Sequence, residues 1–198
     1  MGDWISPLAE IENGDLVHKL VKSKENQVFE GCYLIPNRTT QDSRGFFRKV
    51  LPFGIERKTL QFPVCQVNIS NNTLAGTVRG LHFQTAPFLE SKLVTCIKGS
   101  VIDVLLDLRP QSKTFLKLSF FFLNSNSDSL LVPPQVAHGF QTLENDTTLM
   151  YLHSYDYNLE FSKGINPLDP KLGITWPLPI RAISESDSSL PLISEIDK

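Results

Sequence analysis

Cysteine is scarce in this chain. Cys32, Cys65 and Cys96 make an odd count, widely spaced and without a CxxC pair. That pattern excludes the disulfide framework of a small secreted domain and the ligand spacing of a zinc site. Each thiol lies among apolar neighbours, so buried, inert cysteines in a reducing cytoplasm are expected. An excess of positive charge is also missing. The formal net charge is −2 over 198 residues, which excludes the broad basic footprint of a nucleic-acid binder. It leaves room for a local basic pocket that takes a phosphorylated small molecule. No apolar run is long enough to span a bilayer; the greasiest stretch, LKLSFFFLNS, is strand-sized. The opening MGDWISPLAEIENG carries acids where a secretion signal carries bases, and no apolar core follows it. The expectation is a cytoplasmic protein with neither a membrane nor a nucleic acid as partner.

Helical periodicity is scarce as well. PLAEIENGDLVHKLVKSKEN could form one short helix, and residues 1–27 read as a detachable extension of unknown role. What the chain does have is strand rhythm. QVFEGCYLI, GFFRKVL, FPVCQVNIS, KLVTCIKG, SVIDVLLDL, TFLKLSFFFL, SLLVPP, HGFQTL and TTLMYLHSY are rich in Val, Ile, Phe, Leu and Thr. Gly, Pro, Asn, Asp and Ser clusters such as KGS, RPQSK and NSNSDS separate them. That rhythm predicts an all-β sandwich or barrel, with no internal repeat and no second domain. In SVIDVLLDL, Val101, Asp103 and Leu105 share one face and Ile102, Val104 and Leu106 the other, so this strand should be buried between two sheets. After Pro177, the Pro, Ser and acidic residues predict loop or one short helix.

GTVRGLHFQ poses a problem of direction. In a regular strand Arg79 and His82 point to opposite faces. Gly80 lies between them, and a glycine inside a strand often marks a bulge. A bend there would turn both side chains into one cavity. Spacing alone favours the plainer pair, a surface arginine and a satisfied core histidine.

The order and spacing of DSRGFFRKV, TVRGLHFQ, SKLVTCIKGSVIDVLLDLRPQSKTFLK, VPPQVAHGFQTL and GITWPL resemble the dTDP-4-dehydrorhamnose 3,5-epimerase family over roughly residues 28–192. The resemblance implies a cupin-type jelly roll, a double-stranded β-helix, over 28–192 with a tail at 193–198. It also implies a homodimer, no cofactor and no metal. The stretch His82-Phe83-Gln84 lacks the second histidine of a cupin metal motif, and three protein ligands are the usual minimum of a catalytic metal site. The implied substrate is a nucleotide diphosphate 4-keto-6-deoxy sugar, epimerised at C3, C5 or both through an enolate.

By the same resemblance His82 is the base, Asp187 the carboxylate on its far nitrogen, Lys92 the cation beside the C4 oxygen and Tyr151 the acid on the opposite face. Arg44, Phe47, Lys49, Gln66, Asn68, Arg79, His138 and Tyr157 are implied to bind substrate, some of them in the neighbouring subunit's site. Lys49 stands where the family usually has a glutamate, and Ser186 where a lysine is common. Both departures leave the base and sugar open. A 4-keto to 3-keto sugar isomerase and a non-catalytic nucleotide-sugar binder remain as alternatives on the same scaffold.

Overall fold

The structure, a computed structural model, describes residues 28–50 and 62–196. The helix expected within PLAEIENGDLVHKLVKSKEN and the extension 1–27 lie outside the described residues. Twelve strands follow one another: β1 (Tyr33–Ile35), β2 (Arg38–Asp42), β3 (Gly45–Lys49), β4 (Gln66–Asn72), β5 (Val78–Gln84), β6 (Lys92–Lys98), β7 (Ser100–Asp107), β8 (Leu118–Asn124), β9 (Ser129–Val132), β10 (Val136–Thr142), β11 (Thr147–His153) and β12 (Ser162–Gly164). One helical turn, α1 (Glu185–Ser188), and a 3-10 turn, Ile193–Glu195, follow them within the described residues. Two five-stranded antiparallel sheets face each other, ordered β1-β9-β6-β11-β4 and β12-β5-β10-β7-β8; β2 and β3 pair only with one another. This is the jelly roll that the family resemblance implied, and it agrees with the all-β sandwich or barrel that the strand rhythm predicted.

Two strands, β2 and β12, had no legible signal. All five residues of β2, RTTQD, are exposed, so no alternation of apolar and polar residues marks it. At three residues, β12 is too short to show a period.

The main core lies between the sheets. Val101, Leu105, Leu123 and Phe140 of one meet Val94, Cys96, Leu130 and Leu149 of the other. The second face of β7 is covered differently from the expectation. Val104 and Leu106 pack with Leu81 and Ile165 under Leu172, Ile174 and Trp176, and Ile102 lies under Trp176 and Leu178. A returning C-terminal segment, not a second sheet, buries that face. Each fully buried aliphatic side chain contributes roughly 1.5–3 kcal/mol, so this contact holds the segment on the sheet. Ile193 and Ile196, in the stretch read as a tail, pack into the same cluster. The Ile193 N–H also donates to Asp169 Oδ2 at 2.6 Å. Cys32 and Cys96 are buried, and burial pushes each thiol up to about 12; Cys65 is exposed. Among the described residues no helix is long and apolar enough to cross a membrane.

Candidate active site

A cavity of about 780 Å³ opens between the two sheets. Its second-sheet wall comes from β5 and β10, where the problem of Arg79 and His82 is resolved. His138 pairs with His82 and Phe140 with Arg79. Two steps along β10 therefore match three along β5, so β5 carries one extra residue. Such a bulge turns both flanking side chains to one face. His138 and Phe140 share a face by ordinary alternation, and Arg79 and His82 now share it with them; all four line the cavity.

Gly80 makes the bulge possible. Its φ is +102°, and a Cβ there would stand 2.6 Å from both the Gly139 Cα and the His138 oxygen. Gly80→Ala is expected to lower stability by roughly 1–3 kcal/mol, from backbone strain and overpacking. It should also displace His82. Thermal unfolding measures the first effect, and loss of activity in still-folded protein at lower temperature the second. A variant with unchanged melting and turnover would show that the bulge tolerates a side chain.

The C-terminal segment supplies the partner of His82. A parallel bridge joins Thr77 to Ala182, and the Val78 N–H donates to the Ala182 oxygen at 2.8 Å. Ser184 then caps α1, its hydroxyl accepting from the Asp187 N–H at 3.0 Å. This fixes Asp187 beside β5. Its Oδ1 lies 2.8 Å from His82 Nε2, and its Oδ2 accepts from the Gly80 N–H at 3.1 Å. Burial raises the Asp187 pKa, but the bonds from His82, Gly80 and Ser184 outweigh it and hold the carboxyl below its ordinary value. An ionised Asp187 accepts from Nε2–H and leaves His82 Nδ1 as the basic atom. The His82 side chain is 45% exposed, against 8% for Asp187, so the imidazole can reach a ligand that its partner cannot.

The first sheet forms the opposite wall. Lys92 on β6 and His153 on β11 are register partners, as are Val94 and Tyr151, and Tyr151 and Asn68. Period-2 alternation therefore turns Tyr151 and His153 to the cavity together with Lys92, Gln66 and Asn68. The Tyr151 hydroxyl lies 3.0 Å from Ser70 Oγ. Burial pushes the Tyr151 pKa above its ordinary value, against the Ser70 hydrogen bond, which lowers it. The phenol is thus a proton donor throughout the neutral range. Lys92 Nζ is 3.1 Å from Glu90 Oε2.

Of the residues singled out in the sequence, His82, Tyr151, Lys92, Asp187, Gln66, Asn68, Arg79, His138 and Tyr157 line this one cavity. Arg44, Phe47 and Lys49 do not. They lie on the β2–β3 hairpin, where Phe47 is 65% exposed and Arg44 pairs with Asp42 at 2.6 Å. Gln66 and Asn68 engage one another: Gln66 Nε2 donates to Asn68 Oδ1 at 2.9 Å, and the Tyr157 N–H donates to Gln66 Oε1 at 2.8 Å. Arg79 Nε donates to Asn72 Oδ1 at 2.7 Å, which braces the guanidinium.

Three site residues escaped the sequence reading. Asp103, fully buried, has its Oδ1 3.2 Å from His138 Nε2. The contact lies off the line of a hydrogen bond, and among the described residues neither carboxylate oxygen nor Nε2 has another partner. Its signal was present: an acid on the Val101–Leu105 face of an otherwise apolar strand. Glu90 and His153 were the others, each two residues from a residue that was singled out. Among the described residues no three His, Cys, Asp or Glu side chains gather as a metal site.

The family model for dTDP-4-dehydrorhamnose 3,5-epimerase matches residues 26–195. The chain is 40% identical over 166 residues to the dTDP-4-dehydrorhamnose 3,5-epimerase of Sinorhizobium fredii, covering 82% of this chain and 85% of that one. It is 32% identical over 169 residues to the dTDP-4-dehydrorhamnose 3-epimerase of Streptomyces niveus, covering 84% and 81%. Among solved structures, the dTDP-6-deoxy-D-glucose-3,5-epimerase of Legionella pneumophila in complex with dTDP-4-keto-L-rhamnose superposes with a TM-score of 0.79. Identity is 31%, and 87% of this chain and 93% of that one are covered.

Proposed function

As a member of the dTDP-4-dehydrorhamnose 3,5-epimerase family the chain is a nucleotide-sugar epimerase, and we propose that it inverts C3, C5 or both in a nucleotide diphosphate 4-keto-6-deoxy sugar by proton transfer across the cavity. One observation carries this reading. His82 with Asp187 stands on one sheet, and Tyr151 with Lys92 on the facing sheet, around a single cavity. A sugar ring between the sheets has a base on one face and an acid on the other.

His82 Nδ1 takes the proton from the carbon next to the C4 carbonyl. The C–H electron pair forms the C=C bond, and the carbonyl pair moves onto the C4 oxygen. The Lys92 ammonium stabilises that enolate oxygen, the kind of charge placement worth about 10²–10³ in rate. The enolate then collapses and takes a proton from the Tyr151 hydroxyl on the opposite face, which inverts the carbon. Solvent returns a proton to Tyr151 and removes one from His82. Asp187 keeps the imidazole in one tautomer and stabilises the transient imidazolium. Arg79 and His138 face the diphosphate and the sugar from the β5–β10 wall, and Tyr157, 61% exposed, lies at the nucleotide side.

The protein works as a homodimer in this reading. Edge strand β4 exposes Val67 and Ile69 at 57% and 64%, and Phe46 and Phe47 project from a hairpin that joins neither sheet by ladder hydrogen bonds. Apolar groups so placed suit a second copy. The hairpin would bring Arg44, Phe47 and Lys49 to the neighbouring site, where the Lys49 cation bears on the choice of nucleobase.

Incubating the protein with dTDP-, CDP- and GDP-linked 4-keto-6-deoxy sugars in deuterated water tests the reaction. NMR should show deuterium and inverted configuration at C3, C5 or both. Deuterium without inversion, with the carbonyl relocated to C3, would make the protein a ketoisomerase instead. Binding without any exchange would leave it a nucleotide-sugar binder.

A further inference from the structure

We propose that Glu90 is a positioning residue: together with His153 it holds the Lys92 ammonium against the cavity wall and sets its aim, without itself touching substrate. The inference rests on the proton-transfer reading above. The Glu90 side chain is only 7% exposed, yet it is charged. Its Oε2 lies 3.1 Å from Lys92 Nζ and its Oε1 2.5 Å from His153 Nδ1. Both oxygens are therefore engaged, so the carboxylate is no acid or base for a sugar. Burial raises its pKa, but His153 and Lys92 together outweigh burial and keep it ionised.

The geometry of the backbone makes this bridge specific. His153 and Lys92 are register partners on adjacent strands, so imidazole and ammonium stand side by side and one carboxylate spans both. The segment that carries Glu90 is tied down at two points. The Phe88 ring lies 5.9 Å edge-on from Tyr155 and 5.1 Å from Phe161. The Ser91 N–H donates to Ser154 Oγ at 2.7 Å, and the Ser154 N–H to the Ser91 oxygen at 3.0 Å.

The far nitrogen of His153 continues the chain. Nε2 meets Asn68 Nδ2 at 3.4 Å, and Asn68 Oδ1 accepts from Gln66. With Asn68 donating, the His153 proton sits on Nδ1 and points at Glu90; the partners assign that tautomer. A polar strip thus runs from Gln66 on β4 to Lys92 on β6. Lysine needs such an anchor. Its four-carbon stem is flexible, and a misplacement of 1 Å at a reacting centre can cost about 10²-fold.

Glu90→Gln keeps the shape and removes the charge. We expect the initial rate of solvent exchange into the sugar to fall about 10- to 100-fold. The dTDP affinity, measured by calorimetry, should stay within about twofold, the signature of an interaction that matters only in the transition state. His153→Phe removes one side of the bridge and leaves the Glu90–Lys92 pair. It should lower exchange by about tenfold with the same unchanged affinity, and the double variant should be no slower than Glu90→Gln alone. Exchange within about twofold of wild type in both variants, equal losses in rate and dTDP affinity, or additive losses in the double variant would each overturn the positioning role. Wild-type protein runs in parallel. If it fails to exchange, the epimerase reading falls; if it exchanges and Glu90→Gln matches it, only the role of Glu90 falls.

Discussion

Replacing His82 by asparagine is expected to stop deuterium from entering C3 and C5 alike, while the chain still folds and still binds dTDP. One base must begin either inversion, so its loss affects every carbon. A positioned general base contributes about 10²–10⁴ in rate. The fold should survive because His82 is a wall residue, 45% exposed, and not part of the core. The asparagine amide falls short of the place of Nε2, but the other Asp187 oxygen keeps the Gly80 N–H at 3.1 Å and water can enter beside the first. The Asp187 carboxylate is therefore not left bare in a cavity that has lost its imidazole. The measurement is deuterium content by NMR, with melting and calorimetric dTDP binding as controls. Exchange near the wild-type rate at either carbon would take the base role away from His82, and His138 on the same wall would become the residue to examine.

Tyr151→Phe is expected to separate exchange from inversion. In the proposed mechanism the base His82 on β5 and the enolate-stabilising Lys92 on β6 both remain, so a proton can still be removed and returned on the same face. In this reading the far face loses its acid, and net epimer should fall by about 10²-fold or more, the ordinary contribution of a positioned acid. The substitution keeps the ring in its packing against Val94 and the inter-sheet core. It removes the hydroxyl and its 3.0 Å contact with Ser70, which costs roughly 0.5–1.5 kcal/mol of stability. Burial holds the phenol pKa above its ordinary value, so the wild-type donor stays neutral and keeps its proton well past neutrality. An alkaline fall in rate centred below pH about 10 would then belong to another group. Recovered sugar should carry deuterium at C3 or C5 in its original configuration. A normal yield of inverted sugar from Tyr151→Phe would show that the acid stands elsewhere.

The sequence by itself determined the class of fold. Short runs of Val, Ile, Phe and Leu with turn residues between them are strand-sized, and two sheets are the way to bury such runs. It also determined which residues carry reactive groups, because RGLHFQ, KLV and AHGF keep their order whatever the chain does between them. Direction and partnership lay beyond it. Arg79 and His82 converge only because β10 offers one residue, Gly139, where β5 has two, Gly80 and Leu81, and a bulge is a property of two strands. Asp187 is 105 positions from His82, and its place depends on Trp176, Leu178 and Ile193 covering the outer face of β7. Glu90 reads as one more surface acid until strand register sets His153 beside Lys92 and leaves a charged gap that a single carboxylate fills. Local pattern dictates what each strand exposes on its two faces; only long-range pairing decides which faces meet, and the chemistry of this cavity lies where they meet.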